Sequence, residues 1–159
     1  MTSYESWSAA RGAEIIADEA KQEGATLPIL HALQRVFGYV PREAVPMVAQ
    51  TLNLSRAEVH GVVSFYHDFR DAPAGRHVVK LCRAEACQSM GADNLHKHAL
   101  DKLRIGWGGT TPDGRVTVEA VYCLGLCACA PSAMVDGKVY GGLDDNKLDA
   151  LLDRTVRAS

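Results

Sequence analysis

All five cysteines of this 159-residue chain fall in two tight groups, and that spacing limits what the chain can fold into more than any other feature does. The first group reads Cys82-Arg-Ala-Glu-Ala-Cys87, and the second, 35 residues on, reads Cys123-Leu-Gly-Leu-Cys127-Ala-Cys129. Each group can deliver two thiolates to one centre from a single loop, so together they can form a four-sulfur cage. A disulfide framework is not expected, because the cysteine count is odd and the opening Met1-Thr-Ser-Tyr-Glu lacks a basic-then-apolar signal pattern. Zinc accepts four thiolates at this kind of spacing. An iron-sulfur cluster also takes four thiolates, and Gly/Ala-rich loops let backbone N–H groups approach the sulfurs. Spacing alone leaves zinc and iron both open.

Composition narrows the partners. With 47% hydrophobic residues the chain can bury a core, and a formal net charge of −2 with no basic stripe argues against nucleic acid and anionic membrane as partners. No apolar run reaches the length of a bilayer span, so a cytoplasmic location is expected.

Residues 1–70 read as helical. Ser8 can cap a first helix with Ala13, Ile16 and Ala20 on its apolar face and Gly24 beyond its end. Leu30, Leu33 and Phe37 line a second, closed by Gly38. A third begins near Pro41 and carries Val45, Val48 and Leu52, although Pro46 conflicts with an unbroken helix there and leaves open a later start or a kink. Ser55-Arg-Ala-Glu58 fits a capping box opening a fourth, with Val59, Val62 and Tyr66 inward. Short loops between four short helices point to a small antiparallel bundle. His31, His60 and His67 lie on different helices or turns and read as packing or surface residues, not metal ligands. Residues 71–76, Asp-Ala-Pro-Ala-Gly-Arg, have linker chemistry.

Residues 77–159 alternate between extended and helical periods, as a small α/β domain requires. His77 to Leu81 forms a strand delivering Cys82 at its end. One helix from Ala86 carries Ala92, Leu95, Ala99 and Leu103, with Cys87 in its first turn, where the helix N-terminus favours a thiolate. Val116, Val118, Ala120 and Tyr122 alternate along a strand ending at Cys123. Asp136-Gly137 joins Ala133–Val135 to Lys138–Gly141 as a hairpin, and Asp144 or Asp145 caps a last helix bearing Leu148, Leu151 and Leu152. Gly106-Trp-Gly-Gly109 follows a helix, the reverse of the strand-then-helix order a dinucleotide loop needs, and Trp107 is expected at a domain or partner contact. The overall class is α+β: an N-terminal four-helix bundle, then an α/β domain.

The Cys-x4-Cys and Cys-Leu-Gly-Leu-Cys groups, the latter followed by Ala130-Pro131, resemble the thioredoxin-like 2Fe-2S ferredoxins that serve as a subunit of NADH dehydrogenase (complex I). The runs Cys82–Gly91 and Cys123–Pro131 are most similar to the gamma subunit of cytoplasmic NAD-dependent formate dehydrogenase. Leu27-Pro-Ile-Leu-His-Ala-Leu-Gln, Phe37-Gly-Tyr-Val and Val59-His-Gly-Val-Val-Ser-Phe-Tyr66 extend the likeness upstream. The resemblance implies a thioredoxin-like fold, one 2Fe-2S cluster and the ligands Cys82, Cys87, Cys123 and Cys127. Cys127 is taken over Cys129 because its spacing from Cys123 is the family's, which leaves Cys129 as a small buried residue beside the cage. A cis bond before Pro131 is expected from the fold.

The resemblance further implies an electron-transfer subunit with no active site of its own. FMN, NAD and the molybdenum cofactor are then expected only on partner subunits: a flavin-bearing, NADH-binding chain and, through it, a molybdenum-containing formate dehydrogenase subunit. Similar subunits serve NADH-quinone reductases and NAD-coupled hydrogenases. Two other classes are a zinc-stabilised interaction module, which only the metal would distinguish, and a thiol-disulfide oxidoreductase, disfavoured because no Cys-x-x-Cys is present.

Overall fold

The computed structural model describes residues 4–157. The chain divides into two compact units, Met1–Pro73 and Ala74–Ser159.

The first unit is built from helices α1 (Ala9–Glu19), α2 (Thr26–Phe37), α3 (Ala44–Leu52) and α4 (Arg56–Phe65). They share one core containing Ile16, Ile29, Leu33, Phe37, Val48 and Val59. Two of the expected caps form: the Ser8 side chain accepts from the Arg11 N–H, and Ser55 and Glu58 make a reciprocal capping box. Gly38 ends α2 in the left-handed region at φ +82°, where L side chains are strained.

Three local expectations need correction. The buried face of α1 is Gly12, Ile15 and Ile16, while Ala13 is exposed. The helix is turned so that the Trp7 ring can lie on Gly12, where a Cβ would come within 2.4 Å of it, and meet Phe37 edge-on at 5.0 Å. α3 begins at Ala44 and not near Pro41, the later start that Pro46 left open, which puts Pro46 in the first turn, where the missing N–H costs no intrahelical bond. Tyr66 lies beyond the end of α4 and is exposed.

The second unit contains β1 (His77–Cys82), α5 (Glu85–Ser89), α6 (Ala92–Leu103), β2 (Val116–Val121), β3 (Ala133–Val135), β4 (Lys138–Tyr140) and α7 (Asp145–Arg157). Strand order is β2-β1-β3-β4, with β1 parallel to β2 and antiparallel to β3, and β3 antiparallel to β4. Period-two alternation puts Val79 and Leu81, Val116 and Val118, and Ala133 and Val135 into one core with Leu95 and Ala99 of α6 and Leu148 and Leu152 of α7. The Asp136-Gly137 hairpin forms with both residues at positive φ, 49° and 83°, as a two-residue loop matched to strand twist requires. Asp144 caps α7 by accepting from the Lys147 N–H at 2.8 Å.

The single helix expected from Ala86 is instead two. Gly91, at φ +87°, breaks the chain between α5 and α6, so Cys87 sits on a short helix separate from the core helix. Tyr122 lies past the end of β2 and is exposed, not part of the alternating strand.

α6 and α7 are also tied by charge. His98 Nε2 and Lys102 Nζ each lie 2.8 Å from Asp149 Oδ1, and Lys102 reaches Asp153 at 2.9 Å. The Lys102 ammonium, then the His98 ring, hold the Asp149 carboxyl below the usual carboxylate range. A depressed carboxylate contributes stability above its unfolded pKa of about 3.9 and loses it as pH falls through the lower folded value. Asp149→Asn should therefore destabilise the unit at pH 7 by less than ~1 kcal/mol, as expected for a partly exposed pair. The difference from wild type should shrink below about pH 4, read from urea unfolding midpoints across a pH series.

Candidate iron-sulfur site

Because β1 and β2 are parallel, their carboxyl ends emerge at the same edge of the sheet, with Cys82 paired to Val121. Open α/β sheets place their chemistry at this edge. Cys82 closes β1, Cys87 sits in α5, Cys123 follows β2 by two residues, and Cys127 to Cys129 form a single 3-10 turn. The first two cysteines are each 2% exposed, and the last three are exposed.

The sulfurs come in pairs. Cys123 Sγ and Cys127 Sγ are 3.8 Å apart. Two thiolates about 2.3 Å from one tetrahedral metal stand about 3.8 Å apart, so this pair is already at the separation one metal atom requires. Among the described residues, no group of three or more His, Cys, Asp or Glu side chains is gathered as the ligands of a single ion. Four thiols arranged as an inner and an outer pair can hold a dinuclear iron centre, one pair to each iron.

Electrostatics differ between the pairs. Burial pushes the Cys82 thiol up, but hydrogen bonds from the Ala84 N–H, the Cys87 thiol, the Cys123 N–H and the Ser132 hydroxyl together hold it below its ordinary value. The Cys127 thiol is raised by its hydrogen bond with Cys123 and by the negative charge of that sulfur. The backbone around the outer pair is specialised: Cys123 takes φ +104°, sparsely populated by L residues, and Gly125, at φ +77°, donates its N–H to Cys123 Sγ at 3.3 Å.

Cys129 is exposed, contrary to the expectation of a buried spacer. The backbone of its turn packs against Gly141, whose Cβ would come within 2.9 Å of both Cys129 Cβ and its carbonyl oxygen, and the Gly142 N–H donates to that oxygen.

Sequence reasoning did not find the residues that brace the inner pair. His96, 6% exposed, places Nε2 3.1 Å from the Cys82 carbonyl; a carbonyl only accepts, so Nε2 carries the proton. Burial lowers the pKa of this ring. Its edge meets Trp107 at 5.3 Å, and the Arg83 guanidinium lies over the same indole at 4.9 Å, so Trp107 is engaged within its own unit. Gln88 Nε2 donates to the Arg83 carbonyl at 2.7 Å. Ser132 Oγ lies 3.5 Å from Cys87 Sγ. None of these follows from periodicity, since they depend on the turn after β1 and on how α5, α6 and the segment before β3 pack around it. The bond preceding Pro131 is cis, as expected. His31, His60 and His67 are exposed, and the His31 ring meets Phe69 at a tilt, 5.0 Å between centroids.

The family description that matches residues 12–156 is the thioredoxin-like [2Fe-2S] ferredoxin. The chain is 37% identical over 139 residues to the HndA component of the NADP-reducing hydrogenase of Solidesulfovibrio fructosivorans, covering 87% of this chain and 81% of that one. It is 33% identical over 130 residues to a component of the NADH-quinone oxidoreductase of Escherichia coli (strain K12), covering 82% and 78%. Among solved structures, an NAD+-reducing [NiFe]-hydrogenase in the air-oxidised state superposes with a TM-score of 0.65 at 26% identity, over 82% of this chain and 22% of that one. The two thiol pairs at the sheet edge and a match spanning nearly the whole sequence give one conclusion: the chain belongs to the thioredoxin-like [2Fe-2S] ferredoxin family, whose members bind one [2Fe-2S] cluster.

Proposed function

We propose that the chain is a one-electron relay subunit of an NAD(P)-linked oxidoreductase complex, with Cys82, Cys87, Cys123 and Cys127 as the cluster ligands. The observation that carries this reading is the pairing of four thiols at one sheet edge, with the outer pair at the 3.8 Å separation of ligands to one metal. When bound, the cluster supplies a one-electron site beside chemistry that moves electrons two at a time as hydride. The protein's part is to bury Cys82 and Cys87 while leaving Cys123 and Cys127 at the surface, where a partner can approach. The partner class is a flavin- and nicotinamide-binding subunit; the nicotinamide is in keeping with the names of the hydrogenase and quinone-reductase relatives. Among the described residues no helix is long and apolar enough to cross a membrane.

Anaerobic purification followed by iron, sulfide and zinc analysis tests the cofactor. Two irons and two labile sulfides per chain, with an S = 1/2 EPR signal after dithionite reduction, are expected. One zinc without labile sulfide, once metal replacement during preparation is ruled out, would make the cage a structural staple instead.

The terminal substrate is a finer question. The likeness of Cys82–Gly91 and Cys123–Pro131 to a formate dehydrogenase gamma subunit favours a molybdenum-containing, formate-oxidising assembly, whereas the curated relatives favour hydrogen or quinone. Adding formate, hydrogen or NADH separately to the native complex, with the cluster EPR signal as readout, separates them. A signal from formate supports the first assembly; a signal from hydrogen, or from NADH alone, replaces it.

A further inference from the structure

Ser132 is 4% exposed and lies between Pro131 and the first residue of β3. Its carbonyl accepts from the Cys82 N–H at 3.1 Å, which fixes its backbone against one inner cysteine, while its Oγ stands 3.5 Å from the sulfur of the other, Cys87. In free thiol form either atom of the Ser132–Cys87 pair can donate. A cysteine bound to iron has lost its proton, so its sulfur only accepts and the hydroxyl must be the donor.

The setting makes that bond count. Both inner cysteines are 2% exposed, so water competes little for the sulfur, and a hydrogen bond to a charged acceptor is stronger away from solvent. At the exposed outer pair, where Gly125 N–H meets Cys123 Sγ, water is available to do the same work. A four-thiolate [2Fe-2S] centre carries a formal charge of about −2 when oxidised and about −3 when reduced, and hydrogen bonds to the sulfurs help set its potential. A fixed donor stabilises the more negative form more. We propose that the Ser132 hydroxyl, which faces both inner sulfurs and stands 3.5 Å from that of Cys87, shares its one proton with this inner pair and thereby raises the reduction potential of the cluster, making Ser132 a tuning residue of this chain. The inference rests on the ligand set proposed above.

The test uses the full chain, reconstituted anaerobically as wild type, Ser132→Ala and Ser132→Thr, with iron and sulfide content measured before an EPR-monitored redox titration. Alanine removes one oxygen atom and adds nothing; threonine restores the hydroxyl. Ser132→Ala should hold a full cluster whose reduced-to-oxidised ratio at a fixed ambient potential is roughly tenfold lower, about 59 mV for one electron, while Ser132→Thr stays near wild type. A fully loaded alanine variant with an unshifted potential overturns the proposal. So does an equal shift in both variants, which would assign the effect to packing, or loss of the cluster from Ser132→Ala alone, which would assign Ser132 to assembly. If instead Cys87→Ala keeps a full cluster, the ligand set itself has failed, and the role of Ser132 fails with it.

Discussion

Cys82→Ala, Cys87→Ala and Cys123→Ala are each expected to leave the purified chain without its cluster: iron and labile sulfide fall to background and the reduced-state EPR signal disappears. Alanine is the informative replacement because a serine oxygen can itself ligate iron. Loss should be complete, since a dinuclear centre held by two pairs cannot keep a three-ligand site closed to solvent, and among the described residues no His, Asp or Glu is grouped with the cysteines to take over. The fourth ligand is read from the contrast between Cys127 and Cys129. Cys127 stands 3.8 Å from Cys123, sulfur to sulfur, whereas Cys129 ends a turn whose backbone is pressed against Gly141. Cys127→Ala should therefore lose the cluster and Cys129→Ala keep it. The reverse result would make Cys129 the ligand and require the 3-10 turn to rearrange on assembly.

Phe37→Ala should destabilise the helical unit by about 3–5 kcal/mol. Phe37 is 1% exposed at the end of α2, and its ring meets Trp7 edge-on at 5.0 Å. Truncation removes the buried ring, leaves a cavity that the surrounding helices can only partly close, and deprives Trp7 of its aromatic neighbour. A loss of that size is a large share of the ~5–15 kcal/mol typical of a folded domain. Denaturant unfolding followed by far-UV circular dichroism should show a markedly lower midpoint, with Phe37→Leu between the two. A cost under ~1 kcal/mol for alanine would mean that the core collapses around the gap and that the Trp7 contact carries little.

Legibility along the chain followed the range of the interaction involved. Ser8, Ser55 with Glu58, Gly38 and Asp136-Gly137 act on backbone groups within a few residues, so their roles could be read directly and the structure bears them out. Helix faces were less legible. The pattern Ala13, Ile16, Ala20 suits a helix considered alone, but Trp7, six residues earlier than Ala13, claims Gly12 and turns the helix toward Ile15. The apolar period from Ala92 to Leu103 also extends back to Ala86, and only the left-handed Gly91 separates the short helix that carries Cys87 from the one that packs on the sheet.

The sequence by itself determined the donor chemistry: four thiols in two local pairs plus one extra, with the strands that deliver them marked by alternation and by their turns. Proximity along the chain marks Cys123 and Cys127 as a pair, because only three residues separate them, while the turn at Gly125 brings their sulfurs to 3.8 Å. The tertiary structure alone decided that the two pairs meet, that one is buried and the other exposed, and which other groups reach the sulfurs. The parallel register of β1 and β2 brings the pairs to one edge, and the packing of α5, α6 and the residues after Pro131 sets Ser132 and His96 against Cys87 and Cys82. These contacts join residues 14 and 45 positions apart. No local propensity encodes them, because each depends on how separate elements pack.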